Sequence, residues 1–168
     1  MAQIRHRVDF LVLGSGAAGL SYAIQVAEYG SVAIITKNNA AESNTQYAQG
    51  GIAAAMDVAD SIENHVRDTL IAGAGLCDEQ VVRTIIGEGP AEIRRLIEEG
   101  ASFSENNGAL HLGKEGGHGK SRIVHAADTT GEVVEETLLD RVKRHSNIQL
   151  LEHHFALELI TDHHLGQH

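Results

Sequence analysis

The sequence has one cysteine, Cys77, one proline, Pro90, no tryptophan, and only three phenylalanines and three tyrosines. A single cysteine excludes an internal disulfide, and no CxxC or paired Cys/His spacing offers a zinc framework, so a reducing compartment and no metal are expected. Scarce proline beside 18 glycines argues against a proline-rich linker and suits tight strand-to-helix turns. Positive charge is also short. Lys and Arg number 13 against 23 Asp and Glu, a net charge of -10. Nucleic acid phosphates and anionic lipid would be repelled, so neither nucleic acid nor membrane is expected as a partner and a small molecule is. Long hydrophobic runs are missing too. The run from Phe10 to Leu13, preceded by Arg5, His6, Arg7 and Asp9, is too short for a signal segment or a membrane span, which points to the cytoplasm. No repeat or linker interrupts the 168 residues, and the 42% apolar composition can fill one core, so a single domain over 1–168 is expected.

What is present alternates between strand and helix. Val8 to Leu13 is a nearly continuous apolar run, the pattern of a strand buried on both faces of a parallel sheet. GSGAAG follows at Gly14 to Gly19, and then Leu20, Ala23, Ile24 and Ala27 recur at helical spacing until Gly30 supplies a stop. Val32 to Ile35 reads as a second buried strand, completing a βαβ unit. Asn38 to Asp57 is polar and aperiodic, and its length marks it as functional rather than a connector. Ser61 is a cap candidate for a helix carrying Ile62, Val66 and Leu70. Val81, Val82, Ile85 and Ile86 predict another helix ending near Gly87, and Pro90 begins a third, with Ile93, Leu96 and Ile97 buried and Gly100 closing it. Ala101 to Ala127 reads as irregular, with β-like pieces at Ala109 to Leu112 and Arg122 to His125. Val134, Leu138 and Val142 mark a last helix; Ile148 to Leu151 and Phe155 to Ile160 mark two strands. The fold class is α/β with a parallel central sheet, and the chain reads as stopping mid-architecture.

A strand, then GxGxxG, then a helix has a mechanical logic. Gly14 permits the turn, Gly16 lets a pyrophosphate approach the backbone, and Gly19 lets helix and strand pack closely. The helix N-terminus offers unpaired N–H groups and a favourable dipole to phosphate. The usual acidic residue at the end of the second strand is replaced by Thr36-Lys37. That leaves an NADP 2′-phosphate site, a ribose held by backbone and hydroxyl groups, or a solvated lysine all open.

Four segments together, GSGAAG, the TK at 36–37, SNTQYAQGGIAA (43–54) and EGGHGKSRIVHAADTTG (115–131), resemble the succinate dehydrogenase, fumarate reductase and L-aspartate oxidase flavoproteins. Their order spans nearly the whole chain. The resemblance implies a Rossmann-like FAD-binding domain, incomplete because its carboxy-terminal part and capping domain are absent. It implies that Gly14, Ser15, Gly16, Ala17, Ala18 and Gly19 hold FAD, that Lys37 serves the adenosine side, and that Ala156 matches an adenine contact. Asn44, Thr45, Gln46, Tyr47, Ala48, Gln49, Gly50 and Gly51 would wrap the flavin, the last three bringing backbone N–H groups to the ring. In the respiratory members a histidine after the serine attaches the flavin covalently. Asn44 stands there and cannot, so noncovalent FAD is implied.

Glu115 lies where the dicarboxylate enzymes carry a neutral residue. A carboxylate would attract the α-ammonium of L-aspartate and repel a competitor with carboxylates alone, which makes Glu115 the candidate catalytic-site residue. The implied activity is oxidation of L-aspartate to iminoaspartate, with electrons passed to oxygen or fumarate. This is the first step of quinolinate and NAD biosynthesis, with possible hand-over to quinolinate synthase. The fragment alone is expected to be inactive. Other readings stay open: a soluble fumarate reductase or succinate dehydrogenase subunit, or a nucleotide-binding domain without chemistry. GKEGGHGKS is not a P-loop, because five residues separate Gly113 from Gly119 where the motif needs four. His118 and His125 lie in the matched segment, with pocket-lining and structural roles both open and no proton-transfer role assigned to either. His153, His154, His163, His164 and His168 are irregularly spaced and read as surface residues.

Overall fold

The computed structural model describes residues 4–161, 163 and 164. In chain order its elements are β1 (Phe10–Leu13), α1 (Ala17–Val26), β2 (Val32–Ile35), β3 (Ile52–Ala53), α2 (Ile62–Ala72), α3 (Glu79–Glu98), β4 (Glu105–Asn106), β5 (Ala109–Leu110), β6 (Leu112–Gly113), β7 (Ile123–Val124), α4 (Thr130–Arg144) and β8 (Ile148–Leu151). They fall into two units, Met1–Asn44 with Leu138–His168, and Thr45–Thr137.

The first unit is built on a parallel sheet in the order β1-β2-β8. Phe10 pairs with Val32 and Leu13 with Ile35, and on the other side Val32 pairs with Ile148 and Ile35 with Leu151. The α/β class with a parallel sheet is therefore observed. Only the central strand is buried on both faces: Val32, Ala33 and Ile34 are 1%, 2% and 0% exposed. β1 departs from expectation, because Val12 is buried but Leu11 and Leu13 are exposed. As an edge strand it has one neighbour, and α1 covers one of its faces through Leu20, Ala23, Ile24 and Ala27, all buried. Fully burying Leu20 alone contributes roughly 2 kcal/mol.

Two further expectations fail in this unit. α1 ends at Val26 with Ala27 as a C-cap in right-handed geometry, and Gly30 is not among the left-handed glycines, so it is not a helix stop. Its hydrogen side chain makes room for Asp9: a Cβ there would fall 2.6 Å from Asp9 Oδ2. That oxygen accepts hydrogen bonds from Ser31 N at 2.8 Å and Ser31 Oγ at 2.7 Å, closing the βαβ unit at its base. Phe155 to Ile160 forms no strand. No described strand pairs with it, and Phe155, Leu157, Leu159 and Ile160 are exposed.

In the second unit, Ser61 caps α2 as read, accepting from Asn64 N at 3.1 Å. Asp78 caps α3, accepting from the backbone of Gln80 and Val81. The two helices predicted around Gly87 and Pro90 are one. Ile86, Pro90, Ile93 and Leu96 are all buried and in helical phase, so the apolar stripe runs through the proline and packing outweighs its lost hydrogen bond. Val81, Ile85 and Ile97, expected on that face, are exposed. Gly100, with φ +111, does close the helix. In the stretch from Ala101 to Ala127 the β-like pieces read at Ala109 to Leu112 and Arg122 to His125 overlap β5, β6 and β7; β6 and β7 form an antiparallel sheet with β3, and β4-β5 is a hairpin turned by Asn107 (φ 53) and Gly108 (φ 79). No described helix is long and apolar enough to cross a membrane.

Candidate functional site

The turn from β1 into α1 has the shape a pyrophosphate needs. Gly14 adopts φ +102, a conformation L side chains rarely take, and its N–H donates to Ile35 O at 2.9 Å. A Cβ on Gly19 would collide with the Gly14 carbonyl oxygen and reach Val12 Cγ1 at 3.3 Å, so helix and strand approach through that glycine. Gly16 is the N-cap of α1 and supplies no side-chain cap, whereas Ser61 and Asp78 cap α2 and α3. The first turn carries no acidic side chain. No side-chain cap and no acidic side chain compete with an anion at the positive end of this dipole, and the glycine turn fits a dinucleotide. Ser15 has a different task. Its buried hydroxyl donates to Ala40 O at 2.7 Å and lies 3.2 Å from Thr36 Oγ1, tying the turn to the segment after β2. Ala40 N donates to Glu152 Oε1 at 2.6 Å, which fixes that segment beyond β8. Lys37 is exposed at the end of β2, and Ala156 is exposed in the segment without a strand. Asn44, exposed, is the last residue of this unit before the chain enters the second.

In the second unit, Thr45 to Gly51 runs as turns into β3. Thr45, Gln46 and Gly51 are half-buried, while Tyr47, Ala48, Gln49 and Gly50 are exposed. The two glycines differ physically. A Cβ on Gly50 would meet open space, but on Gly51 it would strike Ile123 Cγ2 and come within 2.6 Å of Val124 O. Gly51 therefore seats the loop on β7. Gly131, at the start of α4, was missed by sequence reasoning although it lies in the quoted DTTG. Its N–H donates to Ala48 O at 3.0 Å, and a Cβ there would meet Thr45 O and lie 2.7 Å from Ala48 O. The loop backbone rests directly on a helix start.

β6 and β7 form a hairpin whose loop, 114–122, carries Glu115 at an exposed position. Among the described residues its carboxylate makes no hydrogen bond or ion pair, while its carbonyl oxygen accepts from His118 N at 3.3 Å. His125 is tied to His111 at 3.0 Å between Nε2 and Nδ1. At the base of the loop lies Arg122, 0% exposed, with Nε and Nη2 donating to Asp60 at 2.7 and 3.0 Å and Nη1 to Asp68 at 2.8 Å. Burial pushes the Arg122 pKa down, but the bonds from both aspartates outweigh it and hold it above its ordinary value. Burial also drives His65 below its usual range, with Arg122 and His118 adding to the effect. None of Arg122, Asp60 and Asp68 was singled out from sequence. The one available signal was a lone cation directly before the apolar pair Ile123-Val124. His153, His154, His163 and His164 are exposed; His168 lies outside the described residues.

The chloroplastic L-aspartate oxidase of Oryza sativa subsp. japonica is 54% identical over 154 residues, covering 91% of this chain and 24% of that protein. The L-aspartate oxidase of Vibrio cholerae serotype O1 is 50% identical over 171 residues, covering 98% of this chain and 32% of the relative. Among solved structures, a mutated E. coli quinol fumarate reductase superposes with a TM-score of 0.86 at 32% identity, covering 89% of this chain and 26% of that one. The chain thus spans 24% and 32% of the lengths of these two curated relatives. The FAD binding domain family matches residues 9–166. With the glycine turn of α1 shaped for a dinucleotide and that match running from β1 past β8, the chain belongs to the FAD binding domain family.

Proposed function

We propose that the full-length protein carrying this sequence oxidises L-aspartate to iminoaspartate, with oxygen or fumarate as the final electron acceptor, at the entry to quinolinate and NAD biosynthesis. The observation that carries this reading is the identity of half or more of the aligned positions with proteins named L-aspartate oxidase. When bound, FAD supplies the two-electron acceptor that the reaction requires. The first unit's part is to offer the N–H groups of Gly16 to Gly19 to the pyrophosphate, with Lys37 on the adenosine side. The second unit's part is the 45–51 backbone for the flavin, with Gln49, Gly50 and Gly51 the donors closest to it. Asn44 has an amide where covalent attachment needs a ring nitrogen, so FAD is held noncovalently. Glu115, exposed and free of ion pairs among the described residues, draws the α-ammonium of the substrate and repels dicarboxylates that lack it. The location proposed is the cytoplasm, and unstable iminoaspartate passes to quinolinate synthase. The 168-residue chain alone is inactive.

Two measurements on the full-length protein test the reading. The flavin absorption spectrum should vanish from the protein fraction on denaturation; colour that stays with the polypeptide removes the Asn44 argument. Glu115→Gln should raise the KM for aspartate by about 10- to 100-fold, the loss of one charge-assisted contact, while fumarate and succinate binding changes far less. An equal loss for all three ligands favours a dicarboxylate enzyme instead.

A further inference from the structure

A guanidinium has five donors and no acceptor, and that fact settles the state of a neighbouring histidine. Nη1 of Arg122, besides its bond to Asp68, lies 3.3 Å from Nδ1 of His118. Since Arg122 can only donate, Nδ1 must present its lone pair, and the neutral ring carries its proton on Nε2. Arg122 has no freedom to turn away. It is fully buried, gripped at both oxygens of Asp60, and its backbone N–H donates to Gly113 O at 3.0 Å. Asp68 completes the clamp by accepting from Gly119 N at 2.7 Å, and Lys114 Nζ donates to Gly119 O at 3.4 Å. His118 also meets His65, 6% exposed and edge-on with ring centroids 5.6 Å apart. A loop containing Gly116 and Gly117 would otherwise be among the softest in the unit; here its C-terminal side is fixed to α2 through Gly119 and Arg122.

We propose that Arg122, held by Asp60 and Asp68, is a positioning residue that keeps His118 as a permanent Nε2–H donor beside Glu115. One short turn then offers an acceptor to the ammonium and a donor to the carboxylate of an α-amino acid. The second half of this statement rests on the reading of Glu115 given above. His118 is half-buried rather than sealed, and the His118 N–H to Glu115 carbonyl bond holds the two residues in one turn. Both ligand groups sit on a single substrate carbon, so a donor and an acceptor three residues apart suit an amino acid head group better than a lone carboxylate.

The ring state is read directly from the two-bond proton–nitrogen spectrum of His118 in the 15N-labelled 168-residue chain. The expected pattern is a bare Nδ1 and a protonated Nε2; a protonated Nδ1, or signals averaged between tautomers, overturns the positioning role. Arg122→Lys keeps the charge but cannot make the same bonds, and should turn the pattern into the average. If that variant does not fold, Asp68→Asn keeps an acceptor for Gly119 N, removes the charge that holds Nη1, and should move the pattern the same way; an unchanged pattern overturns the role. In the full-length protein, His118→Ala should raise the KM for aspartate roughly tenfold with kcat nearly unchanged, and His118→Gln, which retains an N–H, should recover most of it. An unchanged KM in His118→Ala overturns the substrate contact. Failure of the Glu115 reading would show separately, as an unaltered aspartate KM in Glu115→Gln with the wild-type ring pattern intact.

Discussion

Arg122 and Asp60 meet through two parallel hydrogen bonds, at 2.7 and 3.0 Å, with their side chains 0% and 1% exposed. A planar fork matched to a carboxylate in this way is the strongest geometry such a pair can take. Removing one partner strands the other charge. Arg122→Met should therefore lower the unfolding free energy by about 3–5 kcal/mol in urea titration. The double change with Asp60→Leu should be less harmful than the sum of the two, because the fully buried Asp60 is no longer left unpaired, while Asp68 keeps its bond from Gly119 N.

Acid should attack the same cluster. Burial works against ionisation of Asp60, but the hydrogen bond from Arg122 outweighs it and its pKa is lowered. Asp68 is lowered first by its bond from Gly119 N and then by Arg122. Both are depressed in the folded state, so their contribution is complete above the unfolded carboxylate value of about 3.9 and is lost as pH falls through the lower folded values. Tm measured from pH 6 downward should drop most steeply below about pH 4, and Arg122→Met should flatten that drop. Equal slopes would detach the cluster from acid stability.

Gly19 and Gly50 should separate folding from cofactor retention. Gly19→Ala puts a methyl group against the Gly14 carbonyl oxygen, so α1 must shift off β1, at about 1–3 kcal/mol of stability. Gly50→Ala meets open space and should leave unfolding within about 0.5 kcal/mol, yet weaken FAD binding in the full-length protein if the backbone there faces the ring. Thermal melts of both, with flavin titration of the second, distinguish the two effects.

Gly131→Ala should act on the flavin loop from beneath. The added methyl would lie 2.7 Å from Ala48 O and 2.9 Å from Ala48 Cβ, forcing residues 45–48 away from the start of α4. The flavin-to-protein absorbance ratio of the purified full-length variant should fall well below wild type. Full flavin occupancy would show that the loop can be reseated without loss.

Legibility followed the range of the forces involved. β2 and β8 stand within the bounds read for them because β2 is an unbroken apolar run, β8 interrupts its run only at Gln149, and such short runs have little alternative in a parallel sheet. Ser61 was visible because a cap is local chemistry. α3 was misread because proline and glycine speak locally against a helix, while the stripe through Ile86, Pro90, Ile93 and Leu96 is satisfied only by packing. The two-residue strands were too short to show any period, so β5, β6 and β7 showed only as β-like pieces without bounds or pairing, although Asn107-Gly108 is a hairpin turn by composition. Of the candidate site, the glycine turn was readable from spacing. The Arg122 cluster was not, since Asp60 and Asp68 reach Arg122 across 62 and 54 positions of sequence.

The bare stretch from Phe155 to Ile160 has a practical consequence for anyone handling this polypeptide. Phe155, Leu157, Leu159 and Ile160 stand 72%, 90%, 69% and 64% uncovered, an adhesive hexapeptide on an otherwise strongly anionic particle. Such a strip invites self-association and chaperone capture, so the purified chain should bind hydrophobic dye and elute as a concentration-dependent mixture. Lysine at 157 and 159 should restore a monodisperse solution.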